Sequence, residues 1–440
     1  MGGLMAARAL ANHFEQVTVI DRDRMPEIGE HRRGVPQSRH THGLLVRGAE
    51  TLEHFFPGFR DEVVARGGLS GDPGLSVIAV NDGHRAADAP LGRNGLLASR
   101  PTLEGVARAM LLKNPGVTLL EGTQAVRLLT TADRTTVTGV VSTPDGGGDE
   151  TEHPADLVVD STGRGSRLGA WLESLGYERP AEDLVQVNVH YRTRLFRRNP
   201  AEVRTGAVIS ATPSCARLGA LLAIDAHTWI VTLAGYLGEE APAGHAEFLQ
   251  YARSLPSDDI YQLIKDAEPL DDGLATRYPA SRRHRYEHLK RFPEGLLVTG
   301  DAIASFNPVY GQGMSAAGGY AIALENALNA GEQHLARRFF AEAAKVADTP
   351  WQIAVGNDLR IPGVKGKPAR GSKVMSWYIA RLNRRAAHDP VLANAFREVV
   401  HLLAPPQSII RPAIMRRVLF GRETRQALRP QQTSTKIAAE

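Results

Sequence analysis

The chain has 440 residues, 42% hydrophobic and 23% charged, with a formal net charge of +4. This is ordinary globular composition, and the length suits roughly three domain-sized units or two with an appendage, which excludes a largely disordered chain. A single cysteine, Cys215, excludes an intramolecular disulfide and a cysteine-built zinc or iron–sulfur site, and no apolar run reaches the ~18 residues of a membrane-spanning helix. With no signal-peptide pattern at the start, these features lead us to expect a cytoplasmic protein.

The charge is uneven. From Arg360 onward 16 Lys and Arg stand against 4 Asp and Glu, so this end carries +12 and the remainder −8. The basic stretch RPAIMRRVLFGRETRQALR suggests either peripheral contact with an anionic membrane or a solvated helix face packed on an acidic body. We favour the second, and expect no nucleic-acid partner, because no aromatic residues interleave the later arginines.

In chain order, Leu4, Ala7, Leu10 and Ala11 recur at helical spacing and VTVID reads as a short buried strand ending on Asp21. Residues 27–48, polar and rich in His and Arg, read as a long loop feeding a helix. SRPTLEGVARAMLLKNPGVTLLEG gives a helix entered through Pro101 and then a strand. QAVRLLTTADRTTVTGVVST and ADLVVDSTG add strands, with PDGGGDE as a hairpin-like connection. Helices and short strands alternate here, which predicts a parallel sheet.

Between about 185 and 285 the rhythm changes. Val185, Val187, Val189 and Tyr191 alternate with polar residues, as in a half-buried antiparallel strand, and GALLAIDAHTWIVTLAGYLG reads as a hairpin turning at Asp225–His227. The parallel pattern returns with GLLVTGDA and the small-residue helix MSAAGGYAIALENALNAG. Beyond 335 the pattern is helical, broken by a loop at 362–373 and by Pro405-Pro406; only the last ten or so residues read as disordered.

The densest chemistry lies in LLVTGDAIASFNPVYGQGMSAAGG. A strand ends at Thr299, Gly300 permits a tight turn, and Asp301 sets a carboxylate at the strand's carboxyl end, where open α/β sheets bind ligands. Pro308 stiffens the loop, and Gly311-Gln312-Gly313 brings bare N–H groups to a helix start, which attracts anionic or electron-rich oxygen. The same glycines would also permit close helix-on-sheet packing. His40 and His42 lack a companion acidic or cysteine set, so we read them as loop histidines bonded to backbone or ligand and expect no metal. DSTGRGS lacks the G-x-S-x-G of a nucleophile elbow.

The Gly-Asp-Ala, Asn-Pro and Gly-Gln-Gly-Met sequence resembles the second FAD motif of flavoprotein monooxygenases of the aromatic-hydroxylase type, and SFNPVYGQGMS is most similar to the squalene-epoxidase-like group that includes bacterial polyether epoxidases. The resemblance implies that Asp301 bonds the ribityl chain and Pro308 lies by the isoalloxazine. It also implies that Gly311, Gln312, Gly313 and the Met314 N–H face the pyrimidine edge. Gly3, with Gly2 beside it, matches the third glycine of the family's G-x-G-x-x-G, and Asp21 matches the acid that binds ribose hydroxyls. The first strand and first two glycines have no counterpart, so an N-terminally short version is expected, and a sample starting at Met1 is expected to bind FAD poorly.

RRGVPQSRHTHGLL resembles the group's segment beside the flavin, implying contacts from Arg33, Gly34, Val35 and Gln37, with His40 and His42 as further candidates. SRPTLEGVARAML resembles the helix whose arginine, here Arg100, reaches the cofactor, and Val126 is implied as one more contact. VVDSTGRGSRL occupies the place of an Asp-Gly pair in many hydroxylases; Thr162-Gly163 stands there instead, and Arg167 keeps a basic group.

The resemblance thus implies an α/β protein: an FAD-binding Rossmann-like domain of the aromatic-hydroxylase type, an antiparallel β-sheet substrate domain and C-terminal helices. Residues 1–75, 99–180 and 286–335 would form the FAD-binding part, 76–98 an excursion into the substrate sheet, 181–285 the antiparallel substrate domain, and 336–440 the helical region. The implied chemistry is a monooxygenase that uses NAD(P)H, or electrons from a flavin reductase, to insert one atom of O2 into an apolar or aromatic small molecule. Epoxidation of a secondary-metabolite precursor comes first and hydroxylation second. No Trp-x-Trp-x-Ile-Pro stretch of flavin halogenases is present. A saturase or dehydrogenase and a non-catalytic relic of the fold remain as alternatives. Trp229, Tyr191 and Phe306 are candidate pocket residues, though each also suits a plain core position.

Overall fold

A computed structural model describes residues 1–369 and 371–421. The expected disorder of the last residues, and the basic stretch beyond Gly421, lie outside the described residues. Helix α1 (Gly2–Leu10) and strand β1 (Val17–Ile20) come first, then a long loop and helix α2 (Val46–Phe55). Strand β2 (Val77–Asn81) precedes helix α3 (Arg100–Leu111) and strands β3 (Val117–Leu120), β4 (Thr123–Thr130), β5 (Val137–Pro144), β6 (Thr151–Pro154) and β7 (Val158–Asp160). Strands β8 (Glu182–Arg197), β9 (Gly206–Ile209), β10 (Arg217–Ala223) and β11 (Thr228–Gly235) follow, then helices α4 (His245–Arg253) and α5 (Asp259–Ile264) and strand β12 (Leu274–His284). Strand β13 (Leu296–Val298) leads to helices α6 (Gly313–Asn329), α7 (Leu335–Asp358), α8 (Ser372–Ala386), α9 (Pro390–Val400) and α10 (Pro412–Phe420).

Among the described residues parallel pairing joins β1 with β3, β7 with β13, and β9 with β2. Among the described residues neither β1 nor β13 has a second partner strand. Strands β4, β5 and β6 pair antiparallel with one another, which corrects the expectation of a parallel sheet through this stretch. The reason is connection length: the links between them are too short for a parallel crossover, which needs about a dozen residues or more.

The large sheet has eight strands in the order Ala304–Ser305, β12, β8, β11, β10, β9, β2, His84–Arg85. It is antiparallel except where β9 meets β2. Strand β8 carries the alternation that defines its faces, burying Val185, Val187, Val189 and Tyr191. Phe196, Leu221 and Val231 pack with Phe248 of α4 and Ile260 of α5 in one core; Val187, Leu218 and Tyr236 pack with Ile361, beyond α7, in another.

Helix α6 is built of small residues because two helices press on it. A Cβ on Gly318 would stand 2.9 Å from Thr51 of α2, and one on Gly319 would stand 2.7 Å from Val346 of α7. Both distances are too short for any larger residue, so these glycines fix how α6, and the turn that feeds it, sits in the molecule.

Candidate functional site

The site is organised around the turn between β13 and α6. Gly300 (φ +67°) and Gly311 (φ +65°) take left-handed conformations that an L side chain resists, so the chain can fold back twice within a dozen residues. Between them the Asn307 side chain accepts from the Val309 N–H at 3.3 Å, holding Pro308–Tyr310 as a single 3-10 turn. Helix α6 then starts at Gly313 with no side-chain cap. Gln312 at its entry is buried, and neither its amide oxygen nor its nitrogen has a hydrogen-bond partner among the described residues. A helix start with uncapped N–H groups and an unsatisfied buried amide beside it is an incomplete arrangement that suits an electron-rich ligand edge.

Four other segments converge here. A Cβ on Gly2 would lie 3.7 Å from the Gly300 Cα, one on Gly163 3.8 Å from the Asp301 Cβ, and one on Gly311 3.5 Å from the Gly43 carbonyl. Gly3 sits so close to Ser161 that a Cβ would be 2.7 Å from its hydroxyl. Asp301 is accessible but lies in a recess, where burial pushes its carboxyl up against the opposing charges of Arg100 and Arg164. Pro308 and Gly313 are exposed, and Met314 is buried.

The charged groups behind the recess form one network. Arg32 donates to Asp21 (3.1 Å), Asp23 (2.8 Å) and Glu104 (2.8 Å), and Glu104 also accepts from Arg100 at 3.2 Å. Burial works against the Glu104 carboxylate, but the Met1 amino group, Arg100 and Arg32 outweigh it and hold the group well below the usual range. Gly34 donates its N–H to Asp23 at 2.7 Å, and no Cβ would fit there.

The histidines are held as single-purpose groups. His40 lies between the hydroxyls of Thr193 and Thr276, 2.8 Å from each, and burial pushes it down to about 4. His42 donates Nδ1–H to the His40 carbonyl at 2.9 Å, which leaves Nε2 as an acceptor. Burial, then the nearby Arg100 charge, pushes it down to about 3, so both rings are neutral near pH 7.

Not every expected residue faces the recess. The Arg33 side chain is 81% exposed and pairs with Asp145 on the surface; its neighbour Arg32 points inward instead. Alternation along an extended loop turns adjacent side chains to opposite sides, and only the fold selects which one faces inward. Val35 is buried in core and Gln37 is exposed, while Val126 is half-buried at a register shift between β4 and β5. Arg164, not singled out in the sequence, stacks over Tyr278 at 4.4 Å and lies by Asp301.

A second group was also missed. Asp358 is fully buried, and its Oδ1 accepts from Tyr236 (2.7 Å), Tyr310 (2.9 Å) and Asn307 (2.9 Å), while Oδ2 has no partner among the described residues. Burial pushes its carboxyl up to about 6 despite those three bonds. No local pattern marks Asp358, since its partners lie 48 to 122 residues away. Tyr236 and Tyr310 line a slot on the other side, with Val208, Ile209, Leu218 and Phe396. Trp229, Tyr191 and Phe306 do not line that slot. Trp229 packs in the core shared with α4 and α5, Tyr191 meets His40 edge-on at 4.6 Å, and Phe306 packs in the core around α1 and α6.

This architecture, with two parallel strand pairs and helices alongside a large, mostly antiparallel sheet, is the fold of flavin-dependent monooxygenases and halogenases. It is similar to the p-nitrophenol 4-monooxygenase PnpA of Pseudomonas putida DLL-E4, at TM-score 0.61, 14% identity and coverage of 91% of this chain and 95% of that one. It is also similar to the flavin-dependent brominase Bmp2, at TM-score 0.57 and 14% identity, covering 91% and 90%. No family model matches the sequence. The chain is 32% identical over 456 aligned positions to Protein Rv3254 of Mycobacterium tuberculosis strain H37Rv, covering 98% of this chain and 95% of that one. It belongs to the family of that mycobacterial protein.

Proposed function

We propose that the protein is an FAD-dependent monooxygenase that inserts one atom of O2 into an apolar or aromatic small molecule, with NAD(P)H or a partner flavin reductase as electron source. The observation that carries this reading is the uncapped start of α6 with its buried, unsatisfied Gln312 amide. The donor set suits a flavin: neutral N–H groups where a reduced ring gathers negative charge, a carboxylate at Asp301 for ribityl hydroxyls, and Arg100 for phosphate.

Gly311, Gln312, Gly313 and Met314 would hold the ring edge, Pro308 would lie against it, and Gly2, Gly3 and Asp21 would serve the nucleotide end. Bound there, FAD would supply oxygen activation; the protein's task is position, dryness and electrostatics. The Gln312 amide and the first-turn N–H groups orient the ring and favour its electron-rich edge. His42 Nε2, unprotonated, can accept a hydrogen bond without adding positive charge to the recess. Tyr310 and Tyr236 spend their O–H bonds on Asp358, so toward the slot they offer only acceptor lone pairs. Epoxidation is our first reading of the oxygen transfer and hydroxylation the second.

The test uses protein tagged at its C terminus and expressed from its own locus. The expected result is a visible flavin spectrum, near-stoichiometric FAD released on heating, and substrate-coupled oxygen uptake with NAD(P)H. Protein that stays colourless with FAD in excess overturns the reading, and flavin reduction by substrate without oxygen incorporation moves it to a dehydrogenase.

A further inference from the structure

Two neighbouring spaces lie between the large sheet and helix α8. The inner is the slot of about 50 Å³ that ends on Val309, Tyr310 and Tyr236. The outer is an open cleft of about 680 Å³ between the residues around Asp82, the 212–215 turn and α8. Asp82, Pro213 and Arg360 line both, so the two spaces adjoin across these residues.

Their walls differ in character. The slot is mostly apolar, whereas three guanidinium groups, Arg360, Arg381 and Arg384, face the cleft against the single carboxylate of Asp82. Arg360 is paired with Asp82, which Asn383 also bonds at 2.7 Å. Arg381 donates to the carbonyls of Val418 and Leu419 at 2.8 and 2.9 Å. Arg384 is exposed and has no partner among the described residues. Trp377, 56% exposed, stands seven positions before Arg384 and therefore on the same face of α8. An exposed aromatic plane beside a cation with no described ionic partner is a recognition surface for a molecule that is apolar along its body and negative at one point.

We propose that the cleft binds an amphipathic organic acid, with its anionic group on Arg384, its apolar body against Trp377, and its slim end entering the slot toward Tyr310. This names the substrate class of the site proposed above and rests on that reading for the fate of the bound molecule, though binding itself does not depend on it.

The experiment uses the full chain and two fluorescent probes that share one ring system, anilinonaphthalene sulfonate and the uncharged N-phenylnaphthylamine. The sulfonate is expected to bind at least about tenfold more tightly, as a charge-assisted contact to arginine implies. Arg384→Glu, on an exposed position, removes that preference without changing affinity for the neutral probe, and Arg384→Lys keeps part of it. Ala380→Trp fills the cleft and weakens both probes by about tenfold or more, with circular dichroism checking the fold. If it does not fold, Trp377→Ala replaces it with the expectation that both probes weaken. Equal affinity of the two probes, unchanged sulfonate binding by Arg384→Glu, or a folded cleft variant that binds both like wild type overturns the proposal. No readout involves flavin: colourless protein that prefers the sulfonate sinks the redox reading alone, and yellow protein without the preference sinks this one alone.

Discussion

The sharpest contrast between neighbours is Arg32 and Arg33. Arg32 compensates three carboxylates, two of them nearly inaccessible, whereas Arg33 pairs on the surface. Removing one partner from a buried ionic cluster leaves charges stranded, while exposed pairs contribute little. Arg32→Ala is therefore expected to lose about 3–5 kcal/mol in urea unfolding and Arg33→Ala less than about 1 kcal/mol. Equal losses would mean that the network does not hold as described. Asp358 gives a pH test of known sign. Its folded pKa, about 6, lies above the ordinary 3.8, so the native state binds the proton more tightly than the unfolded chain. Its contribution is present in full below the ordinary value and is lost as pH rises through about 6. Asp358→Asn should consequently gain stability relative to wild type across that window, by on the order of 3 kcal/mol, in unfolding series at several pH values. A difference that is flat with pH would place the proton elsewhere.

At the scale of elements, the start of α6 separates two glycines with different tasks. Gly311 is needed for its backbone, so Gly311→Ala is expected to cost about 1–2 kcal/mol through strain alone. Around Gly313 a Cβ meets nothing within 4 Å, and the residue is exposed. Gly313→Val should thus change stability by no more than about 1 kcal/mol yet abolish flavin binding by filling the space the ring would take. A variant that keeps its visible spectrum would argue that the ring does not lie at this helix start. The element was legible from sequence because glycine spacing, Asn-Pro and a small-residue helix are local. The packing of α2 and α7 onto Gly318 and Gly319 was not, since those partners are distant in the chain.

For the whole molecule, the turn hangs from β13, whose Leu296, Leu297 and Val298 are almost wholly inaccessible and belong to the core shared by α1, α2, α3, α6 and α7. Leu297→Ala should lower stability by about 2–5 kcal/mol, measured by thermal or urea unfolding. Because that core positions the recess, flavin affinity is expected to fall with it; unchanged affinity in a destabilised variant would uncouple the two. The antiparallel sheet was legible from its alternation, and β8 buries the four residues that the pattern selected. The antiparallel pairing of β5 with β4 and β6 was not legible, since apolar runs alone do not state strand direction and the short connections decide it.

What the sequence alone determined is what local chemistry encodes: the period of each strand and helix, the glycines that allow the turn at 300–313, and the carboxylate of Asp301 at a strand end. What only the tertiary structure decided is which side chains meet. Arg32 rather than Arg33 faces inward, Asp358 gathers two tyrosines and an asparagine from two distant segments, and Arg384 stands over a cleft that no single element forms. The physical reason is that backbone preference acts over a few residues, whereas burial, charge compensation and cavity shape depend on surfaces brought together only by the packed chain.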